Sequence, residues 1–191
     1  MVTTRCAHDV RNNTRHYSDG ENPKSMSEPQ TLVIRPATDA DEAALWRILE
    51  PVIRAGETYP LPRDMSREAA LAYWRAPAHA AFVAEQDGAV VGTYYLRANQ
   101  AGGGGHVANC GYMTAPDATG RGVATAMCRH SLMEAKARGF RAMQFNLVIS
   151  SNARAVRLWQ HCGFEIVGRL PEVFRHPRLG YVDAFVMLRR L

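Results

Sequence analysis

The sequence contains no run of eighteen apolar residues, which leaves no candidate for a membrane-spanning helix. Its opening, Met1-Val2-Thr3-Thr4-Arg5, leads into no apolar secretion core. Cysteine is sparse: Cys6, Cys110, Cys128 and Cys162 lie far apart with no CxxC pair, which argues against a zinc cage and a disulfide framework. The seven histidines also lack ligand spacing, so no metal is expected. No helix carries a clustered basic stripe interleaved with aromatics, so no nucleic-acid partner is expected, and no membrane partner either. The net charge of +5 suits an anionic small molecule as well as anything larger. A reducing, cytoplasmic setting is the default expectation, with Cys128 and Cys162 as small core side chains.

The 191 residues suffice for one domain, and 47% hydrophobic with 21% charged residues is ordinary for a globular chain. Residues 1–30 hold almost no apolar side chains and read as a disordered tail; residues 31–191 read as one domain. Within it, Thr31-Leu32-Val33-Ile34-Arg35 is a short strand. Asp39 is the expected cap of a helix with Leu45, Ile48, Leu49 and Val52 on its apolar face, kinked or ended by Pro51. Ser66 opens a second helix through Leu71 and Trp74.

Strands at 80–86 and 89–98 meet at Asp87-Gly88, a hairpin signal. The run Gly102-Gly103-Gly104-Gly105 has no lysine and opens no helix, so it reads as a flexible hairpin tip. A strand at 106–114, a helix from about 122 to 138, a strand at 141–149, a helix at 152–161 and strands at 164–170 and 181–189 follow. The order β-α-α-β-β-β-α-β-α-β-β implies an α/β (mixed α+β) fold with helices on both faces of a mixed sheet.

The segment Thr119-Gly120-Arg121-Gly122-Val123-Ala124 carries the chemistry. A strand stops near Pro116 and turns through two glycines into a helix. Glycines let backbone N–H groups crowd a ligand, and the helix start adds unpaired donors and partial positive charge, which together suit a phosphate. Arg121 adds a forked cation. A dinucleotide fingerprint would need a small residue where Thr125 stands, and a Walker loop would need a lysine.

A second segment, Asn152-Ala153-Arg154-Ala155-Val156-Arg157-Leu158-Trp159-Gln160-His161-Cys162-Gly163-Phe164, begins with a good N-cap and carries an apolar stripe of Ala155, Leu158, Trp159 and Cys162. Taken together, the two segments resemble the GNAT superfamily of N-acetyltransferases. The family turn Q/R-x-x-G-x-G/A is matched at every position but the first, where Thr119 stands. The later NxxA…(Y/W)…GF helix is matched by Asn152, Ala155, Trp159, Gly163 and Phe164.

That resemblance implies a mostly antiparallel sheet with one splayed parallel pair, and acetyl-CoA as cosubstrate. It implies that amides of Thr119, Gly120, Arg121, Gly122, Val123 and Ala124 grip the pyrophosphate. It further places the main chain of Met113 and Thr114 along the pantetheine, with Asn152 on the other side and Trp159 beside it. Trp159 stands where many members carry a tyrosine that protonates the leaving thiolate, a task indole cannot do.

Alternation sets Val107, Asn109, Gly111 and Met113 on one strand face, and Gln144, Asn146 and Val148 together on another. The strings His106-Val107-Ala108-Asn109-Cys110-Gly111-Tyr112 and Gln144-Phe145-Asn146-Leu147-Val148 resemble the yeast acetyltransferases of proline analogues, which implies that Asn109 and Asn146 are catalytic and substrate-site residues. Glu57, in the loop after the first helix, is a candidate to hold the acceptor amine or relay its proton. His161 and His176 read as surface residues. Arg154 and Arg157 either meet coenzyme phosphates or form a wet helix face.

The expected reaction is acetylation of a small-molecule amine, an amino acid or proline analogue included, by direct attack on the thioester. A coenzyme A-binding module without turnover and a protein or peptide acetyltransferase stay open, as does a homodimer.

Overall fold

The computed structural model describes residues 32–191; the tail read at 1–30 lies outside the described residues. The elements follow the expected order: β1 (Leu32–Pro36), α1 (Glu42–Ala55), α2 (Arg67–Trp74), β2 (Ala80–Gln86), β3 (Ala89–Ala98), β4 (Val107–Thr114), α3 (Val123–Ala137), β5 (Ala142–Ile149), α4 (Ala153–His161), β6 (Glu165–His176) and β7 (Gly180–Arg190). The strands join in one sheet in the order β1-β2-β3-β4-β5-β7-β6. Every neighbouring pair is antiparallel except β4 and β5.

Alternation along β3 shows what covers each face. Tyr94 stacks on Phe82 and its hydroxyl meets His130 Nδ1 of α3 at 2.7 Å. Thr93, on the opposite face, accepts from Trp74 Nε1 of α2 at 2.9 Å. Helices α1 and α2 therefore cover one face and α3 the other, with Leu45, Ile48, Leu49, Met127 and Met143 fully buried between the layers. Cys128 and Cys162 are buried and free, as their apolar positions implied.

Four local expectations need correction. Asp39 does not cap α1. It begins a short 3-10 turn, and Asp41 closes a capping box with Thr38, because Arg35 holds the Asp41 carboxylate from β1 at 2.8 and 2.9 Å. Helix α1 continues through Pro51 and ends at Gly56, whose left-handed φ of 63° closes it; Ile53 takes the buried place while Val52 is half-buried. Strand β6 continues past 170, through Pro171, to His176. It is an edge strand, where a missing N–H is tolerated, and its register shifts between Leu170 and Phe174. His176 is not a surface residue: it is 6% exposed, and its Nδ1 accepts from the amides of Arg178 and Leu179, closing the β6–β7 turn.

The Gly102–Gly104 run folds as a 3-10 turn within the β3–β4 connection.

Candidate active site

The parallel pair is joined only at its beginning. Val107 pairs with Ala142 and Ala108 with Met143, and the ladder stops there although β4 continues to Thr114 and β5 to Ile149. At the next position Asn109 Nδ2 donates to Gln144 O at 2.8 Å, a side chain in place of the ladder bond. Beyond it the strands part and open a passage through the sheet.

Two cavities meet in that opening. One, of about 350 Å³, lies on the α1–α2 face and is lined by Tyr73, Tyr95, Arg97, Asn109 and Asn146. The other, of about 510 Å³, lies against the turn before α3 and the exposed side of α4. Tyr112, Thr114, Asn152, Ala155 and Trp159 line both. A molecule held at the turn thus has a route through the sheet to the opposite face.

The turn is shaped for an anion. Gly120 and Gly122 have φ of 87° and 82°, left-handed values that other residues reach only with strain. Helix α3 makes its first bond from Ala126 N to Gly122 O, so the amides of Val123, Ala124 and Thr125 have no intrahelical acceptor. Arg154, Arg157 and His161 line the same cavity from α4. A Cβ on Gly122 would meet nothing within 4 Å, so the space above the turn is open. Free amides, a helix N-terminus and two guanidinium groups are the donor set a pyrophosphate requires.

Strand β4 presents its main chain by parity. Ala115 N donates to Val91 O, so odd-numbered groups point toward β3. His106 O accepts from Arg141 N, so even-numbered groups point toward β5 and the opening. Thr114 therefore offers main chain to the opening, whereas Met113, paired with Thr93, does not; Tyr112 stands in its place. The carbonyl of Tyr112 accepts from Tyr59 Oη at 2.8 Å.

The smaller cavity is walled by phenols and amides. Tyr95 lies over Gly111, where a Cβ would come within 2.6 Å of its ring, so this position requires glycine. Its hydroxyl meets that of Tyr73 at 3.3 Å. Burial, then the hydrogen bond to Tyr73, raises the Tyr95 pKa well above the usual phenol, so the Tyr95 hydroxyl keeps its proton at neutral pH. Cys110 is the one thiol in the wall, and burial pushes it up to about 12, so it is neutral and no nucleophile. No Asp or Glu lines this cavity.

The sequence-derived candidates fall into three groups. Thr119, Gly120, Gly122, Val123, Ala124 and Asn152 come together around the larger cavity. There Asn152 also caps α4, accepting from Ala155 N at 3.1 Å. Arg121 belongs to the turn, but its side chain turns away to Gln86 Oε1 at 2.9 Å.

Asn109, Asn146 and Trp159 come together around the smaller cavity, and Trp159 packs on Tyr112 and Phe145. The Asn146 amide is engaged at both ends, accepting from Gln144 Nε2 at 2.8 Å and donating to Asn99 Oδ1 at 2.7 Å.

Glu57 stands apart: its carboxylate pairs with Arg178 at 2.7 Å and lines neither cavity. Its loop reaches the site through Thr58, Tyr59 and Pro60 instead.

Sequence reasoning missed Tyr73, Tyr95 and Arg97. The signal was available in part: Tyr95 and Arg97 alternate along β3 and face Gly111 and Asn109 across the ladder. Among the described residues no three His, Cys, Asp or Glu side chains form a metal-holding group, and no helix is long and apolar enough to cross a membrane.

The acetyltransferase (GNAT) family profile matches residues 44–164. The N-acetyltransferase aca1 of Schizosaccharomyces pombe is 26% identical over 151 residues, 70% of this chain and 72% of that protein. A GCN5-related N-acetyltransferase from Kribbella flavida is 41% identical and superposes with a TM-score of 0.80, covering 84% of this chain and 98% of that one. A phosphinothricin acetyltransferase from Sinorhizobium meliloti, solved with acetyl-CoA, shares the fold at 23% identity and a TM-score of 0.74, over 84% of this chain and 89% of that one. Profile, relatives and the split parallel pair agree: the chain belongs to the GNAT family of acetyltransferases.

Proposed function

We propose that this protein transfers an acetyl group from acetyl-CoA to the amine of a small molecule, an amino acid or proline analogue among the candidates. The observation that carries the reading is the passage through the sheet. A turn built for a pyrophosphate on one side opens, between β4 and β5, onto a cavity of about 350 Å³ on the other. That volume fits a small acceptor better than a peptide groove.

In this reading the amides of Gly122, Val123 and Ala124, with Arg154 and Arg157, hold the coenzyme phosphates. The main chain of Tyr112 and Thr114 and the side chain of Asn152 flank the arm as it crosses the sheet. Bound there, acetyl-CoA supplies an acyl group already activated as a thioester.

The remaining work falls to the chain's own residues. The parted strands align an amine in the smaller cavity with the acyl carbon, which raises effective concentration and excludes water. Direct attack by the neutral amine is favoured over a covalent acyl-enzyme because the Cys110 thiol is neutral: the C–N bond would form as the C–S bond breaks, with coenzyme A leaving as the thiolate and the amine proton passing to solvent water. Trp159 fills space and donates no proton to the thiolate. The Tyr95–Tyr73 hydroxyl pair is the proton-bearing group we assign to the cavity, with Tyr95 donating to developing negative charge.

The test is an acceptor screen. The protein is incubated with acetyl-CoA and separate panels of small amines and peptides, and products are read by mass spectrometry. Acetylated small amines support the reading. Acetylation of peptides alone would replace the substrate class, and no product from any panel would remove catalysis.

A further inference from the structure

The cavity of about 350 Å³ has one charged residue in its wall, Arg97, and no carboxylate to balance it. Arg97 Nε is shielded from solvent and has no hydrogen-bond partner. No ion pair among the described residues includes Arg97. A shielded guanidinium donor left unpaired is unfavourable, and natural structures rarely keep one without a use.

Its position is fixed. Arg97 lies directly across the ladder from Asn109, and Tyr95 faces Gly111 two residues on, so the cation stands on the same face as the mouth of the β4–β5 opening. Each amide that could compete for an acceptor's anionic group already spends one of its two donors elsewhere. Asn109 donates to Gln144 O, and Asn146 bonds both Gln144 and Asn99.

We propose that Arg97 is the anchor of the acceptor, binding the carboxylate of a small amino acid through its planar fork while the amine faces the thioester. This rests on the reading of the smaller cavity as the acceptor site. Guanidinium and carboxylate match as a bidentate pair. The same cation, uncompensated by any acid in the wall, disfavours polyamines, whose remaining ammonium groups are positive. The asparagines keep a different role: they hold the strands in the arrangement that leaves Arg97 exposed to the ligand.

The test compares free amino acids with their carboxamides. The probes are proline, azetidine-2-carboxylic acid, methionine and alanine, each as acid and amide, with acetyl-CoA saturating. Wild type should favour the best acid over its amide by about tenfold to a hundredfold in kcat/KM, the range of a charge-assisted hydrogen bond. Arg97→Gln should raise KM for the acid by a similar factor, bring the acid-to-amide ratio near one, and leave acetyl-CoA affinity unchanged by calorimetry. Arg97→Lys should restore part of the preference, since it keeps the charge without the fork.

Equal use of acid and amide by wild type would overturn the anchor while leaving the acetyltransferase reading intact; this arm needs no variant. An unchanged ratio in a folded Arg97→Gln protein would overturn it as well. Acetyl-CoA binding without acetylation of any probe or other amine would remove both readings.

Discussion

Asn109 Nδ2 donates to Gln144 O at 2.8 Å at the position where the β4–β5 ladder stops, so one side chain both ends the pairing and satisfies the carbonyl released by it. In a regular sheet Gln144 O would take a main-chain N–H. Here a longer reach lets the strands part without leaving a buried acceptor unpaired.

Asn109→Ala should therefore lower both stability and activity. Losing the bond leaves Gln144 O unsatisfied, at a cost of about 1–3 kcal/mol, and the fork is free to close or slip. Urea unfolding should show the loss, with kcat/KM down by about tenfold, or about 1.4 kcal/mol. Asn146→Ala should cost activity by a similar factor, because the chain through Gln144 and Asn99 fixes the other strand. Full activity in both variants would show that the amides do not position the site.

The glycine turn gives the sharpest binding prediction. Gly120→Glu and Gly122→Glu place a side chain on a left-handed residue, costing about 1–2 kcal/mol each. They also set a carboxylate where a pyrophosphate would sit. Calorimetry should find acetyl-CoA affinity reduced at least about a hundredfold, roughly 2.7 kcal/mol, with circular dichroism unchanged. Unaltered affinity in the folded double variant would move the coenzyme site elsewhere.

Trp159→Phe separates packing from proton transfer. The indole packs tilted against Tyr112 at 4.9 Å and edge-on against Phe145 at 5.0 Å, and it touches both cavities. Truncation should cost about 1–2 kcal/mol of stability and less than about tenfold in kcat. A fall of several orders of magnitude, with folding and affinity intact, would make Trp159 part of the chemistry.

Stability toward acid should depend on the β1–α1 junction. Arg35, through its hydrogen bonds, holds the Asp41 carboxyl well below the usual carboxylate range, against the opposing effect of burial. The folded pKa lies below the unfolded one, so the contribution is present above about pH 4 and is lost as pH falls through that value toward the folded pKa. Arg35 is 36% exposed, and screening keeps the contribution to about 1 kcal/mol. Asp41→Asn should destabilise at neutral pH and flatten the decline below about pH 4 in denaturant titrations. An unchanged acid limb would show that other carboxylates govern it.

Much of this was legible from local pattern, and the remainder was not local. The turn at Gly120 and Gly122 and the cap at Asn152 reveal themselves within a few residues, because backbone freedom and capping are short-range demands. Alternation sets Asn109 and Asn146 each on one face of its own strand, but their bonds span separations of 35 and 47 residues, and no periodicity tells which partner a side-chain amide takes. Glu57 was attractive as a loop acid until Arg178, on the turn after β6, claimed it. Arg97 is the penultimate residue of β3, and no local pattern around it marks a site. Its meaning depends on what is missing around it, and an absent carboxylate becomes visible only when the cavity wall is assembled.

The central claim, acetyl transfer from acetyl-CoA to a small amine, is tested most directly by the rate of thiol release from acetyl-CoA as small amines are added at neutral pH. Release should depend on the amine, match the acetylated product mole for mole, and disappear in the Gly120→Glu/Gly122→Glu protein. Tight acetyl-CoA binding with no amine-dependent release from any small amine would contradict it, and would leave a coenzyme-binding protein without turnover on this class of acceptor.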